Sequence, residues 1–141
     1  MYTYKRKAQF HETDRMGIIH HSNYIKWMEE ARVGMMDLLG VSYRDMEDKY
    51  RIGSPVVSVN VDYKKYVEFG DELEIEVSVK KYNGAILEVC YNIVNRTKDQ
   101  LAATAWSKHC FLKDGKLVSL KHEIPELDRS FREELKKDTT E

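Results

Sequence analysis

The run Asp14-Arg15-Met16-Gly17-Ile18-Ile19-His20-His21-Ser22-Asn23-Tyr24 opens the stretch that decides the fold, because a helical pattern begins where it ends. Tyr24, Trp27, Met28, Ala31, Met35, Leu38 and Leu39 recur at helical intervals. At about 100° per residue they gather into a stripe roughly 120° wide, which buries against a sheet. Ser22 or Asn23 is placed to cap this helix by accepting a bond from an orphan first-turn N–H, and Gly40 is a stop signal. Val33 and Met36 lie off the stripe and give the helix a second contact side, for which a neighbouring subunit is one candidate. The loop ahead of the helix carries the chemistry. It holds one carboxylate, Asp14, near a helix start, where unpaired N–H groups and the positive end of the macrodipole stabilise an oxyanion.

Outward from this stretch the period changes. Tyr2 to Phe10 alternates and predicts a first strand, closed by the polar cluster His11-Glu12-Thr13-Asp14 with Gly17. Ser42 to Tyr50 predicts a short second helix, with Ser42 as its cap and Asp45 in its first turn. Beyond Pro55 the period is two: Val57-Val59-Val61-Tyr63, Leu73-Ile75-Val77-Val79 and Leu87-Val89-Tyr91-Ile93 each alternate with polar residues, so each strand has one apolar face. The turns at Phe69-Gly70-Asp71, Tyr82-Asn83-Gly84 and 97–100 are short and predict antiparallel neighbours. Leu101 to Leu112 reads as another strand, and Asp114-Gly115 as a hairpin turn into Lys116 to Leu120. Glu126 to Lys137 reads as a peripheral helix whose end, from Lys136, has nothing to bury and frays. The fold class is α+β, one helix wrapped by one curved antiparallel sheet, in a single domain spanning residues 1–141.

Composition argues against several classes. Lys and Arg number 23 against 24 Asp and Glu, and no basic run suggests nucleic-acid binding. The first ten residues lack the apolar core of a signal peptide, and no stretch of 18 apolar residues would span a membrane. Cys90 and Cys110 have no CxxC partner, which points to reduced thiols and a cytoplasmic protein. His11, His20, His21, His109 and His122 show no metal-ligand spacing, and the adjacent His20 and His21 are expected to project apart, so no metal is expected.

Asp14, Gly17, His21, Tyr24, Trp27 and Glu29, continued by Ala31-Arg32, reproduce the residue types and spacing of a known signature. The chain resembles the hotdog-fold acyl-CoA thioesterases, and specifically the 4-hydroxybenzoyl-CoA thioesterase family with its relatives associated with the Tol-Pal cell-envelope system. The likeness covers about residues 1–127 and is strongest at 10–32; Gly53-Ser54-Pro55, Phe69-Gly70-Asp71 and Ile124-Pro125 fall in the family's order. The resemblance implies a five-stranded antiparallel sheet, homodimers or homotetramers with active sites between subunits, and hydrolysis of an acyl-CoA thioester with no cofactor beyond the coenzyme A of the substrate.

It also implies roles. Asp14 attacks the thioester carbonyl or activates a water, where the ordinary alternative is a turn carboxylate. The backbone N–H at His21 is the oxyanion donor; its imidazole is either a participant or a solvated first-turn side chain, and His20 is structural. Gly17 lets substrate approach the backbone or merely turns the loop. Glu29 contacts a polar acyl group across the subunit boundary or is a solvated helix residue, and Tyr24 and Trp27 are either substrate-binding or core. No phosphate-cradling GxGxxG or GxxxxGK loop occurs, so the coenzyme A phosphates fall to surface cations, with Lys64, Lys65, Arg96 and Lys108 as candidates. Two alternatives stay open: acyl-carrier-protein thioesters as substrates, and a non-catalytic module that binds acyl-CoA.

Overall fold

Alternating strands with one apolar face must share a single buried layer, and the computed structural model, which describes residues 1–140, places them in one sheet. The elements are β1 (Tyr2–Lys7), α1 (Ser22–Leu38), α2 (Tyr43–Asp48), β2 (Val56–Tyr63), β3 (Glu72–Tyr82), β4 (Ile86–Asn95), β5 (Gln100–Cys110), β6 (Leu112–Lys113), β7 (Lys116–Leu117), α3 (Leu120–Glu123) and α4 (Pro125–Thr140). The five long strands pair antiparallel in the order β1-β3-β4-β5-β2. Leu73, Ile75, Val77 and Val79 of β3 and Leu87, Val89, Tyr91 and Ile93 of β4 are buried on one face, and Tyr24, Trp27, Met28, Ala31 and Met35 of α1 are buried with them. Each buried Val, Leu, Ile or Met side chain among these contributes about 1.5 to 3 kcal/mol on burial.

Ala103, Ala105 and Ser107 of β5 are all buried. The helix α1 packs against β3 and β1. On its β1 side the Tyr2 ring lies against Gly34, where an added Cβ would overlap the tyrosine hydroxyl.

The buried polar residues form a directed chain. Arg32 Nη1 donates to the Tyr91 hydroxyl at 3.0 Å, Tyr91 and Ser107 are 2.5 Å apart, and Ser107 Oγ is 2.7 Å from His109 Nε2. Arg32 can only donate, so Tyr91 gives its proton to Ser107, and the Ser107–His109 bond completes the chain, with His109 Nδ1 left without a partner among the described residues. Burial, reinforced by the Arg32 charge, pushes the His109 imidazole down to about 4.

Several expectations need correction. β1 stops at Lys7, and Phe10–Glu12 forms a 3₁₀ turn because the Gln9 N–H donates to the Glu12 carboxylate and the Thr13 N–H to the Phe10 carbonyl. Leu38 is 67% exposed: the last turn of α1 overruns the sheet. β2 and β3 are not neighbours. The segment 64–71 carries the chain from the β2 edge of the sheet past β5 and β4 to β3, which lies inside the β1 edge, with Val67 buried and its carbonyl accepting the Ile19 N–H at 2.8 Å. The Asp114-Gly115 hairpin joins strands of only two residues each.

Ser42 does cap α2, accepting the Asp45 N–H at 3.0 Å. The C-terminal helix holds to Thr140. Beyond Val77, where β1 no longer pairs, the Asp138 carboxylate accepts the Val79 N–H and the chain's terminal ammonium, at 2.8 and 2.7 Å. Leu127 and Phe131 of α4 are buried, so the helix is part of the core rather than a loose tail; Glu141 lies outside the described residues.

Candidate active site

The loop before α1 is built on a buried carboxylate. Glu12, 5% exposed, accepts from Arg6 Nη2 at 2.7 Å, the Gln9 N–H at 2.8 Å and the Trp27 indole N–H at 2.9 Å. Arg6 in turn reaches Glu30 at 2.6 Å. This network ties β1, the loop and α1 together, and it uses Trp27, which is wholly buried, as an anchor rather than as a surface for substrate.

From Glu12 the chain folds back on itself. Thr13 bridges Ile19, the Asp14 N–H donates to the Ile18 carbonyl at 2.8 Å, and Gly17 at φ +83° lets the tip reverse. The Met16 N–H donates to Asp14 Oδ1 at 2.8 Å. That bond makes Asp14 the turn carboxylate of its ordinary alternative, and the same bond restrains one of its oxygens.

The start of α1 differs from the expected cap. His21 is the N-cap residue at φ −56°, its side chain makes no capping bond, and Ser22 already lies in the helix. Asn23 is buried, and its amide donates to the carbonyls of Glu12 and His20 at 2.9 and 3.3 Å. The imidazole of His20 accepts the Ser22 N–H at 3.2 Å and bonds Ser22 Oγ at 2.8 Å. His20 is thus structural, as expected, but its ring stacks on that of His21 at 4.2 Å instead of projecting away, because His21 precedes the first helical residue.

These bonds can be counted. The Asn23 N–H goes to the His20 carbonyl and the Tyr24 N–H to that of His21, at 3.0 and 3.3 Å; with Ser22 satisfied by His20, the His21 N–H has no acceptor among the described residues. Asp14 and His21 line one cleft of about 270 Å³ with Ile18, Tyr24 and Tyr63. Tyr24 is buried, and burial, followed by the nearby Tyr63, pushes its phenol up to about 12. Tyr63, on the edge strand, packs its ring edge-on against Tyr24 at 4.9 Å and donates its hydroxyl to the His21 carbonyl at 3.0 Å.

Of the residues expected from sequence, the fold brings Asp14, His21 and Tyr24 to this cleft. Gly17 shapes the loop without lining the cleft, and Trp27 lies in the core. Glu29 is exposed in a separate shallow groove with Tyr4, Lys26 and Val33. Lys64 and Lys65 line the cleft, whereas Arg96 is paired with Glu74 at 2.9 Å, and Lys108 lies in a groove beside Tyr82. Sequence reasoning gave no role to Glu12 or Tyr63 and read Asn23 only as a cap candidate; Tyr63 left a signal as the last apolar-face residue of its strand, and Asn23 one as a short polar residue at the helix start. Among the described residues no group of three or more His, Cys, Asp or Glu side chains is arranged to hold a metal ion.

The profile of the Thioesterase-like superfamily matches residues 8–135. The chain belongs to this superfamily. A DHNA-CoA thioesterase from Staphylococcus aureus superposes with a TM-score of 0.89 at 33% identity, covering 94% of this chain and 89% of that one. An Aquifex aeolicus protein described as a candidate esterase is 35% identical over 128 residues, 89% of this chain and 96% of its own length. A Bacillus subtilis protein described as a candidate acyl-CoA thioesterase is 38% identical over 103 residues, 73% of each chain. The thioesterase therefore has the hotdog architecture its signature implied, and its membership makes it a thioester hydrolase.

Proposed function

We propose that this thioesterase hydrolyses an acyl-CoA thioester to the free acid and coenzyme A, with Asp14 as nucleophile or general base and the His21 backbone N–H as oxyanion donor. The observation that carries the reading is the pairing, in one cleft, of a carboxylate held through one oxygen with the single first-turn N–H that lacks an acceptor among the described residues. A tetrahedral oxyanion accepts from that N–H, worth on the order of 10²- to 10³-fold in rate. As the intermediate collapses, the carbon–sulfur bond breaks, the thiolate leaves, and the oxygen of water ends in the acid. Lys64 and Lys65 flank the cleft and are placed for the anionic phosphates of coenzyme A.

The Asp14-to-Glu29 spacing supports a place near the 4-hydroxybenzoyl-CoA and Tol-Pal-associated branch. The free thiols of Cys90 and Cys110 suit a reducing cytoplasm: they lie on different strands, one opposite Trp106 and the other opposite Ile86. We further infer a homo-oligomer. Along β2, a sheet edge with no partner strand, Val56, Val57 and Val59 are 49%, 57% and 41% exposed, and a second copy would cover them.

Two substitutions test the chemistry. Asp14→Asn is expected to lower kcat/KM on acyl-CoA substrates at least 10³-fold with unchanged melting temperature, and near wild-type turnover across aromatic, short-chain and long-chain acyl-CoAs would overturn the assignment. His21→Pro removes the N–H at a φ of −56° that proline adopts without strain, while His21→Ala removes only the imidazole. A loss of about 10²-fold or more in the proline variant relative to the alanine variant is expected.

A further inference from the structure

Resting on the oxyanion role of the His21 N–H, we propose that Tyr63, on the edge strand, is a positioning residue for catalysis that fixes this amide by clamping the His21 carbonyl. The residue stands outside the loop and helix that carry the reacting groups, at the far end of β2 in sequence.

The argument is an inventory of the two peptide groups that flank His21. The peptide joining His21 to Ser22 is held at both ends: its carbonyl accepts the Tyr63 hydroxyl at 3.0 Å, and its N–H donates to His20 Nδ1 at 3.2 Å. The peptide joining His20 to His21 is held at its carbonyl, which accepts the Asn23 backbone N–H at 3.0 Å and the Asn23 side-chain amide at 3.3 Å. Three of the four polar groups are thus tied, and the fourth is the N–H offered to the substrate. As the N-cap carbonyl, the His21 C=O also takes the opening bond of α1, and the Tyr24 N–H reaches it at 3.3 Å, so Tyr63 adds the one tether that comes from outside the helix. The Tyr63 bond ties this helix end to the sheet edge and so narrows how far the cap can shift, and a donor must sit within a few tenths of an ångström of its place to stabilise a transition state. The Tyr63 ring is held by Tyr24 at 4.9 Å and stands at right angles to the His21 ring at 6.4 Å, so the hydroxyl is aimed by packing.

Tyr63→Phe tests the clamp, because it keeps the ring, the cleft wall and the Tyr24 contact and deletes one hydroxyl. A hydrogen bond of this kind is worth up to about tenfold in an equilibrium or rate. The expected result is a fall of about 3- to 10-fold in kcat with KM unchanged, since the amide acts on the transition state and not on the bound thioester. The decisive measurement is the same substitution in the His21→Pro background, where no N–H is left to position: there Tyr63→Phe is expected to be silent. An equal loss in both backgrounds, a rise in KM alone, or no loss in the wild-type background would overturn the proposal. The outcomes separate from those for the reaction itself. Near wild-type turnover in Asp14→Asn removes the proposed thioester chemistry whatever Tyr63→Phe does, whereas an inactive Asp14→Asn with a silent Tyr63→Phe in the wild-type background removes the clamp alone.

Discussion

Lowering the pH should destabilise this protein through His109. The imidazole is 1% exposed, neutral, and held near 4 in the folded state, against about 6.5 in an unfolded chain. The folded form therefore binds fewer protons than the unfolded form between those values. Stability is fully present above about pH 6.5, falls as the pH drops through that window, and loses nothing further from this residue below about pH 4. The 2.5-unit difference between about 4 and about 6.5 corresponds to about 3 kcal/mol in full, of which about 2.5 kcal/mol is lost by about pH 4.5. No solvent discount applies to a side chain this buried. The perturbation that isolates the residue is His109→Gln, whose side chain reaches the position of Nε2 and can still accept from Ser107 but does not titrate. Urea unfolding of both proteins at about pH 7.5 and about pH 4.5 is the assay. Carboxylates and the other histidines contribute equally to both, so the wild type should lose about 2.5 kcal/mol more than the variant over that interval. Parallel pH profiles would refute the reasoning.

Three further perturbations follow from the packing. Glu12→Gln leaves Arg6 without its buried carboxylate and sets an amide against three donors, so it should cost about 3 kcal/mol and lower turnover with it, read by melting temperature and kcat together. Gly34→Ala drives a methyl into the Tyr2 hydroxyl and should cost about 1 to 3 kcal/mol, with the double variant carrying Tyr2→Ala costing less than the sum of the two singles in chemical denaturation. Val59→Lys places a charge on the exposed apolar edge of β2 and should yield a monomer by light scattering; an unchanged oligomer would mean that another surface holds the copies together.

Local order in the chain was enough for much of this architecture. The three-and-four spacing from Tyr24 to Met35 needs only the pitch of a helix to define a buried stripe, and the alternation at Leu73–Val79 and Leu87–Ile93 needs only the pleat of a strand. The signature from Asp14 onward lies within one loop and one helix, so it could be read as a unit, and it pointed to the hotdog architecture. Contacts between distant segments left no such trace. Strand order is decided by the 64–71 segment carrying the chain past β5 and β4 to β3, so β2 pairs with β5, and that placement alone brings Tyr63 to the His21 carbonyl. Trp27 fits a core or a cleft equally well by spacing, and only the Glu12 carboxylate opposite its indole N–H settles where it sits. Which first-turn N–H stays open is likewise a sum over partners drawn from His20, Asn23 and their neighbours in space. Periodicity and motif type are properties of neighbouring residues and are written in the chain, whereas the satisfaction of each buried donor and acceptor depends on what folding brings to it from elsewhere.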